Sequence, residues 1–169
     1  MIHINQSRDA MALSAVARAT FLESFASVVP FEDIALRAET EDSPAGIAAR
    51  LQSGGVAWLA RHAGTQVPVG FALNCAPELP EVAVRATDRE LKRLYLLHRF
   101  HGTGTGAALL AAAVEEARQG GCGRLLLGVR AQNPAVAWYG RRGFAEIGSR
   151  RFRVGNRYFD DLILALDLS

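Results

Sequence analysis

Apolar residues recur along this chain with two periods, and the switches between them mark the elements. Ile2–Asn5 alternates apolar with polar, the period of a short strand. With Ser7 as N-cap, Met11, Val16, Ala19, Leu22 and Phe25 then fall at helical spacing and predict a helix over Arg8–Ala26. Phe31–Glu39 reads as a second helical piece. Ser43-Pro44 carries the cap-plus-proline start of a third, which runs to Gln52 and breaks at Gly54-Gly55. Val56–His62 and Val67–Asn74 read as a strand pair joined by the turn Ala63–Gln66. Ala76–Asp88 carries Pro77 and Pro80, has no period and is the longest predicted loop.

Downstream the elements alternate. Glu90–Leu97 is a predicted strand, His98–Thr103 a loop, Gly104–Gln119 a helix and Arg124–Arg130 a strand rich in Leu and Val. Pro134–Arg142 is a short helix that stops at Gly143. Phe144–Val154 and Arg157–Leu168 close the chain as strands around the turn signal Gly155-Asn156. Two strands joined through a helix are expected to be parallel, with a right-handed crossover, and the flanking hairpins antiparallel. The expected class is α/β: one domain over residues 1–169, with a mixed, mostly antiparallel sheet, a central parallel strand pair and helices on both faces.

Composition narrows the function. Half of the 169 residues are hydrophobic, enough for a core in one domain. No apolar run reaches membrane-spanning length and Met1–Ala10 lacks a signal-peptide pattern, so a soluble cytoplasmic protein without a membrane partner is expected. Cys75 and Cys122 are isolated, and His98 and His101 have no third ligand nearby, so neither a disulfide framework nor a metal site is expected. Net charge is +2, carried almost entirely by arginine, with Lys92 the sole lysine. Arg141, Arg142, Arg150, Arg151, Arg153 and Arg157 cluster late in the chain. That is too modest for a nucleic-acid footprint, but it fits a solvated basic face or attraction for an anionic cofactor.

The segment Leu96-Leu97-His98-Arg99-Phe100-His101-Gly102-Thr103-Gly104-Thr105-Gly106 carries the chemistry. A strand ends, glycines alternate and an Ala-rich helix begins. Alternate glycines let backbone approach a bulky anion, and the new helix offers unpaired N–H groups with a favourable dipole. The dipole contributes only about 0.3–1 kcal/mol per charge, so direct N–H contacts must supply most of the binding. A Walker loop would need Gly-Lys-Ser/Thr, which is absent. Gly102, Gly104 and Ala107 satisfy a loose dinucleotide pattern, but His98–His101 intervene before the first glycine and only 39 residues follow Arg130.

This segment resembles motif A of the GNAT acetyltransferase superfamily, a strand followed by Gln/Arg-x-x-Gly-x-Gly/Ala and a helix. Arg99-Phe100-His101-Gly102-Thr103-Gly104 matches it literally. Alignment on Gly106-Ala107-Ala108-Leu109-Leu110 instead puts His101 at the family's Gln/Arg position. Asn133-Pro134-Ala135-Val136-Ala137-Trp138-Tyr139-Gly140-Arg141-Arg142-Gly143-Phe144 is similar to the family's Asn-x-x-Ala-x-x-Phe-Tyr-x-x-x-Gly-Phe segment, with either Gln132 or Asn133 as its cofactor amide.

The resemblance implies an enzyme that moves an acetyl group from acetyl-CoA to a primary amine within a ternary complex, without a metal. His101, Gly102, Thr103, Gly104, Thr105 and Gly106 would hold the coenzyme A diphosphate, and the pantetheine arm would run beside Leu96, Leu97 and His98. Tyr139 matches the family's general acid. A backbone N–H around Leu94–Leu96 would polarise the thioester carbonyl. Glu90, at the head of the central strand, is the first candidate to receive the amine's proton, through a water relay, since about 20 Å of strand separates it from Leu96. The acceptor stays open between a small molecule and a protein amine. Family habit points to a homodimer. The alternative reading is a non-catalytic acyl-CoA-binding sensor.

Overall fold

The structure is a computed structural model that describes residues 1–169. Seven strands form one sheet: β1 (Ile2–Ser7), β2 (Val56–His62), β3 (Pro68–Cys75), β4 (Asp88–Leu96), β5 (Arg124–Arg130), β6 (Ala145–Val154) and β7 (Arg157–Asp167). Their order is β1-β2-β3-β4-β5-β7-β6. Only β4 and β5 run parallel; every other pair is antiparallel. β7 returns between β5 and β6, so the closing hairpin pairs with the parallel strands through its second arm and leaves β6 at the edge.

Five helices cover the sheet: α1 (Ala10–Phe25), α2 (Phe31–Glu39), α3 (Pro44–Gln52), α4 (Thr105–Gln119) and α5 (Ala135–Gly140). Period-two alternation sorts the strands between two cores. On one face Trp58, Ala60, Leu125, Leu127 and Val129 meet Leu109, Leu110 and Ala113 of α4. On the other, Ala57, Leu59, Phe71 and Leu73 meet Leu13, Val16 and Ala17 of α1 and Ile47 and Leu51 of α3. Each leucine closed off in this way contributes roughly 1.5–3 kcal/mol of transfer free energy.

Two details of α1 differ from the sequence reading. Asp9, not Ser7, is the cap: its Oδ1 accepts from the Ala12 N–H at 3.0 Å. Ser7 is still in β1, paired with Ala57, so the first side chain beyond the ladder takes the capping position. The buried face of α1 is Leu13, Val16, Ala17, Phe21 and Phe25, while Met11 and Leu22 face outward.

β4 carries an irregularity that shapes the site. Leu73 pairs with Arg93 but Asn74 pairs with Leu91, leaving Lys92 as an extra residue. A bulge of this kind bends a strand and increases its twist. On the opposite edge, β4 pairs with β5 only through Asp88↔Arg124, Arg89↔Leu125 and Glu90↔Leu126. Beyond that point the two parallel strands part, β4 running on to Leu96 and β5 to Arg130.

Candidate active site

The gap between β4 and β5 opens onto a groove of about 810 Å³. Leu94 and Leu96 form one wall, the glycine loop its end, and Asn133, Ala135, Trp138 and Tyr139 the other wall. His98–Phe100 makes a single 3-10 turn after β4. His101 folds back, and its Nε2 lies 2.8 Å from the Leu96 carbonyl, which fits an Nε2–H donor. Glu23 at the end of α1 accepts from the His98 N–H at 3.0 Å and fixes the base of the loop.

The loop presents free donors. Gly102 and Gly104 take φ of +75° and +84°, a region that a residue with a Cβ enters only with strain. The amides of Gly102, Thr103, Gly104, Gly106 and Ala107 have no acceptor within the protein. A Cβ added at Gly102, Gly104 or Gly106 would meet nothing within 4 Å. Five unpaired N–H groups around open space at a helix start fit an anion with several oxygens, as a diphosphate has. The side chains of Arg141 and Arg142 line the same groove, and Arg142 stacks on Trp138 with 3.9 Å to the ring centroid.

Tyr139 stands where this groove meets a second cavity of about 300 Å³. Its ring is packed edge-on against Trp138 and Phe144 at centroid distances of 5.0 and 5.3 Å. Burial pushes the phenol pKa well above that of an ordinary tyrosine, and the nearby Tyr95 adds to the rise. Tyr139 therefore keeps its proton at neutral pH. Asn133 and Ala135 also border both cavities, and Asn133 Oδ1 accepts from the Ala135 N–H at 2.8 Å to start α5.

The second cavity lies on the α1 side, between β4, β5, β6 and β7. Its carboxylates are Glu41, Glu78 and Asp161. Lys92 holds Glu78 below the usual carboxylate range, with Arg50 assisting against partial burial. Asp161 behaves oppositely. Burial raises its pKa, only partly offset by Arg150, whose Nε and Nη2 both reach Oδ2 at 3.2 Å. The other oxygen, Oδ1, is buried and has no partner. Gly128 makes this pair possible: a Cβ there would come within 2.4 Å of the Arg150 guanidinium.

The structure thus gathers most of the expected residues. Leu96, His98, His101, Gly102, Gly104 and Gly106 line the groove, while Leu97, Thr103 and Thr105 belong to its backbone frame. Of the two amides, Asn133 borders the groove and the exposed Gln132 does not. Glu90 lies outside both cavities. Only 2% exposed, it accepts from the Glu78 N–H at 2.6 Å and sits 3.5 Å from Lys92, so it ties the Ala76–Thr87 connection to β4. Asp161 was missed as a site residue because its place depends on β7 entering between β5 and β6. The sole local signal, the pair Asp160-Asp161 inside an apolar strand, does not say which of the two turns inward. No group of three or more His, Cys, Asp or Glu side chains gathers as a metal site, and no helix is long and apolar enough to cross a membrane.

A splayed parallel pair, a glycine-rich anion loop and a tyrosine between two cavities make up the candidate site. Residues 41–160 match the family model described as an acetyltransferase (GNAT) domain. An uncharacterized N-acetyltransferase of Mycobacterium tuberculosis is 36% identical over 164 residues, spanning 95% of this chain and 98% of that protein. The chain belongs to the GNAT acetyltransferase family. Among solved structures, the PaiA N-acetyltransferase of Thermoplasma acidophilum, in complex with coenzyme A, superposes with a TM-score of 0.77 at 22% identity over 99% of both chains. The ribosomal-protein-alanine N-acetyltransferase of Brucella melitensis gives a TM-score of 0.70 at 25% identity, covering 98% of this chain and 99% of that one.

Proposed function

We propose that this protein transfers an acetyl group from acetyl-CoA to a primary amine, with both substrates bound together. The observation that carries the reading is the position of Tyr139, a proton-holding phenol lining both the cofactor groove and the second cavity. The five free amides of the glycine loop suit the diphosphate, and β4 beyond Glu90 offers an unpaired edge to a pantetheine arm, much as a sheet edge takes an added strand. Bound there, acetyl-CoA supplies an activated thioester. Residues of the chain manage the protons.

As the new N–C bond forms and the C–S bond breaks, Tyr139 gives its proton to the departing sulfur. A phenol with a raised pKa is protonated at the start of every cycle, and a positioned acid contributes about 10²–10⁴-fold. The amine's proton needs an acceptor on the other side. Of the carboxylates in the second cavity, Asp161 suits this better than Glu78: burial raises its basicity and one oxygen is free, whereas Glu78 is held ionised by Lys92 and Arg50. Exchange with water then restores both groups. Burial raises the pKa of both groups, and their different ordinary pKa values give them the two roles, the phenol as acid and the carboxylate as base.

The test is release of free thiol from acetyl-CoA across a panel of primary amines. The Tyr139→Phe variant should lose turnover at least about tenfold while keeping its affinity for coenzyme A. Full turnover in that variant removes the acid role. Cofactor binding without transfer to any amine favours the sensor reading instead.

A further inference from the structure

The second cavity is more basic than an amine site needs to be. Seven cations line it against three carboxylates. Most are matched: Arg37 and Arg93 by the buried Asp42, Arg50 and Lys92 by Glu78, and Arg150 by Asp161. Glu41 and Glu90 reinforce the same group. Two guanidiniums, Arg130 and Arg153, form no salt bridge, although Arg130 acts on Asp161 through space. Arg153 is exposed and bonds the turn at Gly155 and Asn156.

Arg130 is the more informative of the two. It ends β5 where the parallel strands have parted. Its guanidinium lies over the rings of Phe159 and Phe25, at 4.7 and 5.9 Å from their centroids, and donates to no acceptor. Stacking holds the plane in place and leaves its N–H donors unused. Arg130 pairs with Asp161 across β5 and β7, and Arg150 pairs with Asp161 across β7 and β6. Directly opposed residues of antiparallel strands share a face, so the three side chains form a row of alternating charge. That row and Tyr139 line the same cavity.

We propose that the acceptor is a primary amine that also carries an oxyanion, and that Arg130 receives this group while the amine reaches Tyr139 and Asp161. The inference rests on the acetyltransferase reading of the site. Its physical logic is electrostatic. A held guanidinium with free donors suits a carboxylate or phosphate in a two-bond contact. The same positive surroundings depress the pKa of a bound ammonium and raise the fraction of neutral, nucleophilic amine. A polycationic acceptor would add to the unmatched positive charge and be repelled.

Two series of matched amines test this: amino acids against their carboxamides, and aminoalkyl phosphates against the corresponding amino alcohols. Each is titrated calorimetrically into protein saturated with coenzyme A, and each is assayed for thiol release from acetyl-CoA. At least one acidic member should bind and turn over about tenfold or more better than its uncharged partner, and the responding series tells carboxylate from phosphate. In Arg130→Gln that preference should fall toward unity through KM, and Arg130→Lys should restore part of it. If Arg130→Gln fails to fold, the charge-conserving Arg130→Lys, which should raise KM for the acidic member alone, and the salt dependence of that KM give the same reading. Equal or better use of the uncharged members, a preference unchanged in Arg130→Gln, or no saturable binding of any acidic amine overturns the inference. The two readings fail separately. Binding of acidic amines without acetyl transfer removes the transferase and keeps the acceptor class; transfer to uncharged amines alone does the reverse.

Discussion

Tyr139 and Asp161 border one cavity, and both are pushed by burial toward their protonated forms. The consequences differ because their starting points differ. For a tyrosine, the shift keeps the phenol protonated beyond about pH 10, so Tyr139 should add no alkaline limb to the rate below that value. For an aspartate, the shift moves the acid limb of kcat/KM above the ordinary aspartate value of about 3.9, because the carboxylate must be ionised to accept a proton. Arg150 opposes that shift, so Arg150→Gln should carry the acid limb further up, and Asp161→Asn should abolish it with a loss of about tenfold or more. A pH profile of both variants checks this; an acid limb that stays put in Arg150→Gln would remove Asp161 from the proton path. Tyr139 could be singled out only from the glycine loop and the short helical motif taken together. Asp161 could not, because its neighbours Arg130 and Arg150 come from two other strands. Glu90 stands outside both cavities, in an environment set by the Glu78 amide and Lys92, which no local pattern couples to it.

Among the elements, β4 borders both cavities. Its bulge at Lys92 and its divergence from β5 open the groove, and β3 braces it from behind. The brace is tight at Gly70, which pairs with Leu96: a Cβ there would lie 2.9 Å from the Tyr95 carbonyl and 2.6 Å from Leu96 Cδ1. Gly70→Ala should therefore force the end of β4 outward, at a cost of about 1–3 kcal/mol, and weaken binding of coenzyme A as well. Chemical denaturation and calorimetry measure the two effects; an unchanged midpoint would show that β4 is free to move. Most element boundaries could be read from periodicity, and Phe31–Glu39, Pro44–Gln52, Val56–His62 and Arg124–Arg130 stand where the pattern puts them. The face of α1 could not, since an Ala-rich helix with a weak apolar bias leaves several rotations nearly equivalent. Packing against Phe71 and Leu73 selects the one that buries Leu13 and Ala17.

For the molecule as a whole, the sheet separates two cavities, and Tyr139 lines both. The α4 side holds the anion loop, the α1 side holds the charged cavity, and the parted strands connect them. The late arginine cluster divides accordingly, Arg141 and Arg142 toward the groove and Arg150 and Arg153 toward the second cavity. The order β5-β7-β6 brings that division about, and long-range pairing of this kind has no signature in the local sequence. Everything depends on the cofactor lying where the free amides are. The most direct measurement is a titration of coenzyme A followed by backbone amide NMR. Saturable shifts at Gly102, Thr103, Gly104, Gly106 and Ala107, accompanied by Asn133 and the Tyr139 ring, are the predicted result. Saturation with those amides unmoved and the shifts elsewhere would contradict the account.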